Sequence, residues 1–205
     1  YVDVFYSHRY DPETPLEETM QALVDIVRQG KALYVGLSKY PAGKAEEAYR
    51  YLEARDVHCL LYQGRYNLFD RAPEEEGILG QARAYGVGFI AFSPLAQGLL
   101  TSRYLQGVPE DSRMAQGRFL KREVLTEAVL GKIKALDRVA ADRGQTLAEM
   151  SLAWVLKDEL VTSVIIGASS VAQLEDNLKA LRKVDFSKEE LDRIEAICHT
   201  PDGGQ

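Results

Sequence analysis

With 205 residues, 46% of them hydrophobic and 27% charged, the sequence has the makeup of one ordinary globular domain, not a disordered, collagen-like or membrane-embedded chain. A formal net charge of -6 argues against nucleic acid or an anionic membrane as partner, because either demands a basic face. Cys59 and Cys198 lie far apart without CxxC spacing, so they read as small buried hydrophobes and exclude a disulfide framework or a zinc site.

Val2–Ser7 (VDVFYS) is short, apolar and rich in β-branched and aromatic residues, which predicts a strand buried on both faces. The period then changes. Thr14-Pro15-Leu16-Glu17 matches a capping box, and Leu16, Met20, Leu23 and Val27 follow at helical spacing until Gly30. The alternation recurs as strand Leu33–Leu37, helix Lys44–Glu53, strand Cys59–Tyr62, helix Gly77–Tyr85 and strand Gly88–Phe92. A long polar stretch reaches about Arg122, too large for an idle connection and expected to lie over a ligand. A helix with Val129, Ile133, Leu136 and Val139 on one face follows, and Thr146-Leu147-Ala148-Glu149 opens another. Strand Val164–Ile166 precedes helices bearing Val171, Leu174, Leu178 and Leu181, then Leu191, Ile194 and Ile197 behind the capping box Ser187-Lys188-Glu189-Glu190.

Alternating strands and helices predict an α/β fold with a parallel sheet, in a single domain over 1–205. A closed (β/α)8 barrel needs eight strands and about 250 residues, so the five units here cannot close one. The chain opens at Tyr1 inside an apolar run and without methionine, so a preceding segment is expected. No stretch approaches the ~20 apolar residues that cross a bilayer, and no leader pattern opens the chain, which makes a cytoplasmic location the expectation.

Loops at C-terminal strand ends carry the ligand in barrels and open sheets alike. Those positions hold Ser7-His8-Arg9, Gly36-Leu37-Ser38-Lys39, then Gln63 with Arg65 and Asn67, then Ser93-Pro94-Leu95-Ala96-Gln97-Gly98, and finally Gly167-Ala168-Ser169-Ser170. His8 alone among the three histidines stands at a strand end, and its position favours function; His58 and His199 read as structural. Gly167-Ala168-Ser169 leads into a helix through residues able to cap, an arrangement suited to a phosphate, with Arg103 and Arg113 as fixed positive charge. Gly86-Val87-Gly88-Phe89-Ile90-Ala91 matches GxGxxA but follows a helix and opens a strand, the reverse of a dinucleotide fingerprint, so it reads as a tight turn. No GxSxG elbow, Walker loop, HExxH or aspartate-rich metal loop is present.

Six segments in one order, YVDVFYSHRYDPETPLEET, GKALYVGLSKY, YQGRYNLFDR, FSPLAQGLLTSRY, GVPEDSR and VTSVIIGASSVAQLEDNLKAL, resemble the aldo-keto reductase superfamily. The resemblance is closest to the branch of L-glyceraldehyde 3-phosphate reductases and potassium channel β subunits, starting at the fourth strand of a (β/α)8 TIM barrel. It implies an oxidoreductase that transfers hydride from NADPH to a small-molecule aldehyde or ketone, with a tyrosine general acid tuned by a lysine and an aspartate. Those three belong to strand units that do not match this chain. By position His8 matches the histidine that orients the carbonyl. The resemblance further implies that Ser38, Lys39 and Gln63 hold the nicotinamide amide and that Phe92 stacks on its ring. Ser93, Pro94, Leu95 and Gly98 with Arg103 would line the pyrophosphate, Arg113 would close over the cofactor, and Gly167, Ser169, Gln173, Asp176 and Asn177 would hold the adenosine end. Gln173 stands where relatives often place arginine, and Asp176 where they often place glutamate. Two other readings accompany the reductase: a cofactor-binding regulatory module like the channel subunits, which commonly carry asparagine where this chain has His8, and a truncated, inactive segment. The oligomeric state stays open, a homo-oligomer included.

Overall fold

A computed structural model of the chain describes residues 1–105 and 124–199. They fall into two compact units, one made of Tyr1–Tyr66, Arg71–Phe92 and Glu159–Val164, the other of Asn67–Asp70, Ser93–Asp158 and the residues from Ile165 onward.

The sheet has its strands in sequence order: β1 (Val2–Ser7), β2 (Ala32–Ser38), β3 (Cys59–Arg65) and β4 (Gly88–Phe92), all in the first unit, then β5 (Ser163–Ile165), whose first two residues belong to that unit. β1 to β4 pair in parallel. All five expected strands form, β1 and β4 with the expected bounds, while β2 and β3 run longer and β5 starts one residue earlier. Helices α1 (Leu16–Arg28), α2 (Ala42–Glu53), α3 (Ala72–Glu75) and α4 (Ile78–Ala84) fill the crossovers. Met20, Val24, Ala45, Ala48, Leu52 and Ala82 come from these helices and are fully buried. The sheet row Leu37, Tyr62 and Phe89, aligned by register, is buried too, and the Tyr62 and Phe89 rings stack with centroids 5.8 Å apart.

One expectation fails at the start of α1. Thr14 does not cap the helix; its hydroxyl donates to Asp11 Oδ2 at 2.8 Å, and Pro15 takes the N-cap place with no side-chain bond. A carboxylate three residues upstream outcompetes the backbone for that hydroxyl. The Gly86 region is a turn as expected: Gly86 has φ 67 and Gly88 opens β4.

The opposite sheet row alternates large and small, running Tyr6, Gly36, Leu61, Gly88 across four strands. A Cβ on Gly36 would stand 2.5 Å from the Tyr6 ring, and one on Gly64, on the other face, 2.6 Å from the Phe89 ring. Adding a methyl at either place overpacks a filled layer. Gly64→Ala is therefore expected to cost about 1–3 kcal/mol of unfolding free energy. Gly80→Ala, in α4 with nothing near its Cβ, is expected to be neutral or stabilising by up to about 1 kcal/mol. Urea melts of the two variants check the contrast, and equal effects would contradict this packing.

The second unit contains α5 (Glu127–Asp142), α6 (Leu147–Val155), α7 (Val171–Leu178) and α8 (Lys188–Cys198). Capping boxes at Thr146 with Glu149 and at Ser187 with Glu190 are both formed. α5 packs on α6 and α8, burying Ile133, Leu136, Val139, Met150, Trp154 and Ile194. Arg143 is buried beside them, donates to the Asp185 carbonyl at 3.0 Å and lies 3.6 Å from the Phe186 ring, which pins the segment leading into α8. The stripe Val171, Leu174, Leu178 and Leu181 is exposed at all four positions, Val171 at 73%. Helical spacing shows that a face seeks apolar cover, and among the described residues of this unit nothing supplies it.

Candidate active site

In the first unit the candidate residues gather at the C-terminal ends of adjacent strands. His8 follows β1 directly and is exposed, beside Ser7 whose hydroxyl lies 2.7 Å from the Tyr40 hydroxyl. Ser38 ends β2, is 6% exposed and donates from its hydroxyl to the Gln63 carbonyl at 2.9 Å, so parallel pairing and a side-chain bond both fix the β2 and β3 ends. Lys39 comes next with φ 54, a left-handed conformation that costs a non-glycine residue about 1–3 kcal/mol and persists only where its surroundings impose it. Its ammonium lies 5.6 Å from the centroid of the Phe92 ring at the end of β4. The structure thus brings Ser38 to Gln63 and Lys39 to Phe92.

Tyr40 was not singled out by the sequence, yet it links the end of β2 to the end of β1 and to the middle of β3. Its ring lies 5.5 Å from that of Tyr10, its hydroxyl pairs with Ser7, and its carbonyl accepts from the Tyr62 hydroxyl at 2.7 Å. Burial raises the Tyr40 phenol above its ordinary acidity range, against the opposing Ser7 hydrogen bond, and burial pushes Tyr62 up to about 12. Both phenols are therefore neutral hydrogen-bonding groups at working pH. A bulky aromatic between a strand-end lysine and the helix-opening Pro41 is the signal that would have found it.

In the second unit the loop after β4 is a run of strained turns. Ser93, Ala96 and Gln97 have φ of 53, 46 and 59, and Gly98 has 102. The Asn67 side chain, 1% exposed, holds the Ser93 carbonyl at 3.0 Å and so fixes the first of these turns. Pro94 is buried and Leu95 half-buried, the Gln97 Oε1 is buried without a partner, and Thr101 accepts from the Arg103 backbone N–H. Two N–H groups of this run are spent within it, Ala96 on the Ser93 carbonyl at 2.9 Å and Gly98 on the Leu95 carbonyl at 2.8 Å, so the turns are closed by their own backbone. Arg113 lies outside the described residues.

Gly167 and Ser169 are exposed ahead of α7, whose N-cap is Ser170, accepting from the Gln173 backbone N–H. Ser169 donates to Gln173 Oε1 from its backbone N–H at 2.7 Å and lies 2.9 Å away through its hydroxyl, so the Gln173 amide N–H groups remain as donors. Asp176 pairs with Lys179 at 2.6 Å. Asn177 is 6% exposed and its Nδ2 has no partner, an orphaned donor that costs free energy until something accepts from it.

The family model described as Aldo/keto reductase family matches residues 1–199. The chain belongs to that family. An L-glyceraldehyde 3-phosphate reductase of Escherichia coli (strain K12) is 47% identical over 99% of this chain and 59% of its own length. A probable voltage-gated potassium channel subunit beta of Oryza sativa subsp. japonica is 38% identical over 98% of this chain and 62% of its own. The crystal structure of a thermostable aldo-keto reductase in complex with the inhibitor epalrestat superposes with a TM-score of 0.71 at 30% identity, covering 96% of this chain and 60% of that one. The chain thus spans about three-fifths of the length of these relatives. As an aldo/keto reductase chain it has the α/β fold of the (β/α)8 barrels, represented by a sheet of five strands.

Proposed function

We propose that this aldo/keto reductase chain supplies the carbonyl-orienting histidine and most of the cofactor bed of an NADPH-dependent enzyme that reduces small or sugar-derived aldehydes. The observation that carries the reading is the row of polar and aromatic groups at successive strand ends, His8, Ser38 with Lys39, Gln63 and Phe92, where a parallel α/β sheet places its ligands. NADPH, when bound, supplies the hydride. His8 would donate to the carbonyl oxygen as negative charge gathers there. Ser38, Lys39 and Gln63 would hold the nicotinamide amide against Phe92.

The second unit, taken by itself, offers polar donors of its own. The Gln173 N–H groups and the orphaned Asn177 Nδ2 suit the adenosine end of such a cofactor. Pairing with Lys179 reduces the repulsion that Asp176 would offer a 2′-phosphate. L-glyceraldehyde 3-phosphate, the substrate in the name of the bacterial relatives, is the first carbonyl to test. The channel-subunit reading is less favoured, because His8 retains the donor that the carbonyl needs.

Fluorescence titration of NADPH into the whole protein carrying Arg113→Ala or Gln173→Ala should show affinity weakened roughly tenfold or more, the size of a lost charge-assisted bond. Unchanged affinity in both variants would remove these residues from the site.

A further inference from the structure

The strained Lys39 turn and the exposed His8 loop have to be held by something, and Tyr40, which follows Lys39 directly, is tied to Ser7 of β1 through its hydroxyl and to Tyr62 of β3 through its carbonyl. We propose that Tyr40 is a positioning residue with two separate duties: its hydroxyl, through Ser7, sets the His8 loop, and its carbonyl, held by the Tyr62 hydroxyl, sets the Lys39 turn. The inference rests on the reading of His8 as carbonyl-facing and Lys39 as cofactor-facing.

The geometry separates the two duties. Ser7 lies directly before His8 in sequence, so the 2.7 Å contact between the Ser7 and Tyr40 hydroxyls anchors the last residue of β1, from which the His8 backbone departs. Tyr10, two residues beyond His8, packs its ring on Tyr40 from the other side of that loop. His8 is thus bracketed by two residues that both touch Tyr40. The Tyr62 hydroxyl reaches the Tyr40 carbonyl, on the peptide group that follows the Lys39 turn and precedes Pro41. Proline has no N–H and fixes the entry to α2, so this carbonyl bond is what orients the peptide between the strained residue and the helix. Packing alone does not explain the pairing of these phenols. Tyr49 is equally buried in the same unit and its hydroxyl has no partner, so this core accepts a phenol for its ring.

Two conservative variants pull the duties apart. Tyr40→Phe in the whole protein keeps the ring and its contact with Tyr10, and should lower kcat for L-glyceraldehyde 3-phosphate by roughly fivefold to tenfold with the Kd for NADPH changed less than about twofold. Tyr62→Phe should do the reverse, weakening NADPH by roughly fivefold with a smaller change in kcat. Ser7→Ala should reproduce Tyr40→Phe, and the double variant should lose no more than either single one, because both remove the same bond. A direct readout of position accompanies the kinetics: the His8 ring resonances, assigned by their disappearance in His8→Ala, should shift or broaden in Tyr40→Phe and stay put in Tyr62→Phe. Equal losses of kcat and affinity in both variants, or a His8 resonance unmoved by Tyr40→Phe, would overturn the proposal. A wild-type protein that neither binds NADPH nor reduces the aldehyde would refute the functional reading by itself, while the His8 resonance would still decide whether Tyr40 positions that loop.

Discussion

His8→Ala in the whole protein is expected to lower kcat by about a hundredfold to a thousandfold, the usual loss when one donor to a developing oxyanion is removed. The Kd for NADPH should change less than about twofold, because a group that bonds only the developing charge contributes to the transition state and not to cofactor binding. The asymmetry follows from placement. His8 is exposed on the loop after β1, while the Ser38 and Gln63 ends are tied together one and two strands away. His58→Ala is the matched control, since His58 lies exposed at the start of β3, at the opposite ends of the strands, and its loss should leave turnover unchanged. Stopped-flow hydride transfer and an NADPH titration on both variants measure the two quantities. A His8→Ala enzyme with wild-type kcat would remove this histidine from the chemistry.

Local patterns told most of the secondary structure, because strand and helix periods and capping boxes are read within a few residues. Val2–Ser7 and Gly88–Phe92 form as strands, but Val2–Ser7 is not buried on both faces as its apolar run predicts, because it is the edge strand of the sheet, with Val2 and Phe5 exposed; the Thr146 and Ser187 caps form as expected. Thr14 misled because the pattern Thr-Pro-Leu-Glu carries no record of Asp11 competing for its hydroxyl. What escaped the sequence is long-range. Tyr40 meets residues 33 and 22 positions away, a pairing with no period of its own. The left-handed residues Lys39, Ser93, Ala96 and Gln97 are none of them glycine, so composition gave no hint that the strand-end loops are strained. A rule about strand ends singles out His8, Ser38 and Gln63, and the family resemblance adds Phe92, but neither says what holds those strand ends together.

The 205 residues purified alone are expected to reduce no carbonyl, whatever they bind. Hydride transfer leaves an alkoxide that has to be protonated, and a tyrosine, with an ordinary pKa of about 10, becomes a useful acid only when a neighbouring cation brings that value down. Every perturbed phenol among the described residues moves the other way: burial pushes Tyr6, Tyr40, Tyr49 and Tyr62 up. Lys39 is the lysine at the end of β2, and its ammonium lies over the Phe92 ring, while the adjacent Tyr40 gives its hydroxyl to Ser7. Surface exposure adds a second obstacle. In the first unit Val2, Phe5, Leu33 and Tyr34 on the edge strand β1 and its neighbour are 42–53% exposed, and an open apolar edge pairs with other chains. In the second unit Val171, Leu174, Leu178 and Leu181 form an uncovered stripe of the same character. The isolated segment should therefore associate or precipitate, and light scattering will show it. NADPH oxidation assayed with a panel of short aldehydes completes the test: turnover comparable to that of an intact reductase, from a well-behaved monomer, would mean that a proton donor and a closed site exist within these residues and that Tyr40 and Lys39 are not confined to positioning and cofactor contact.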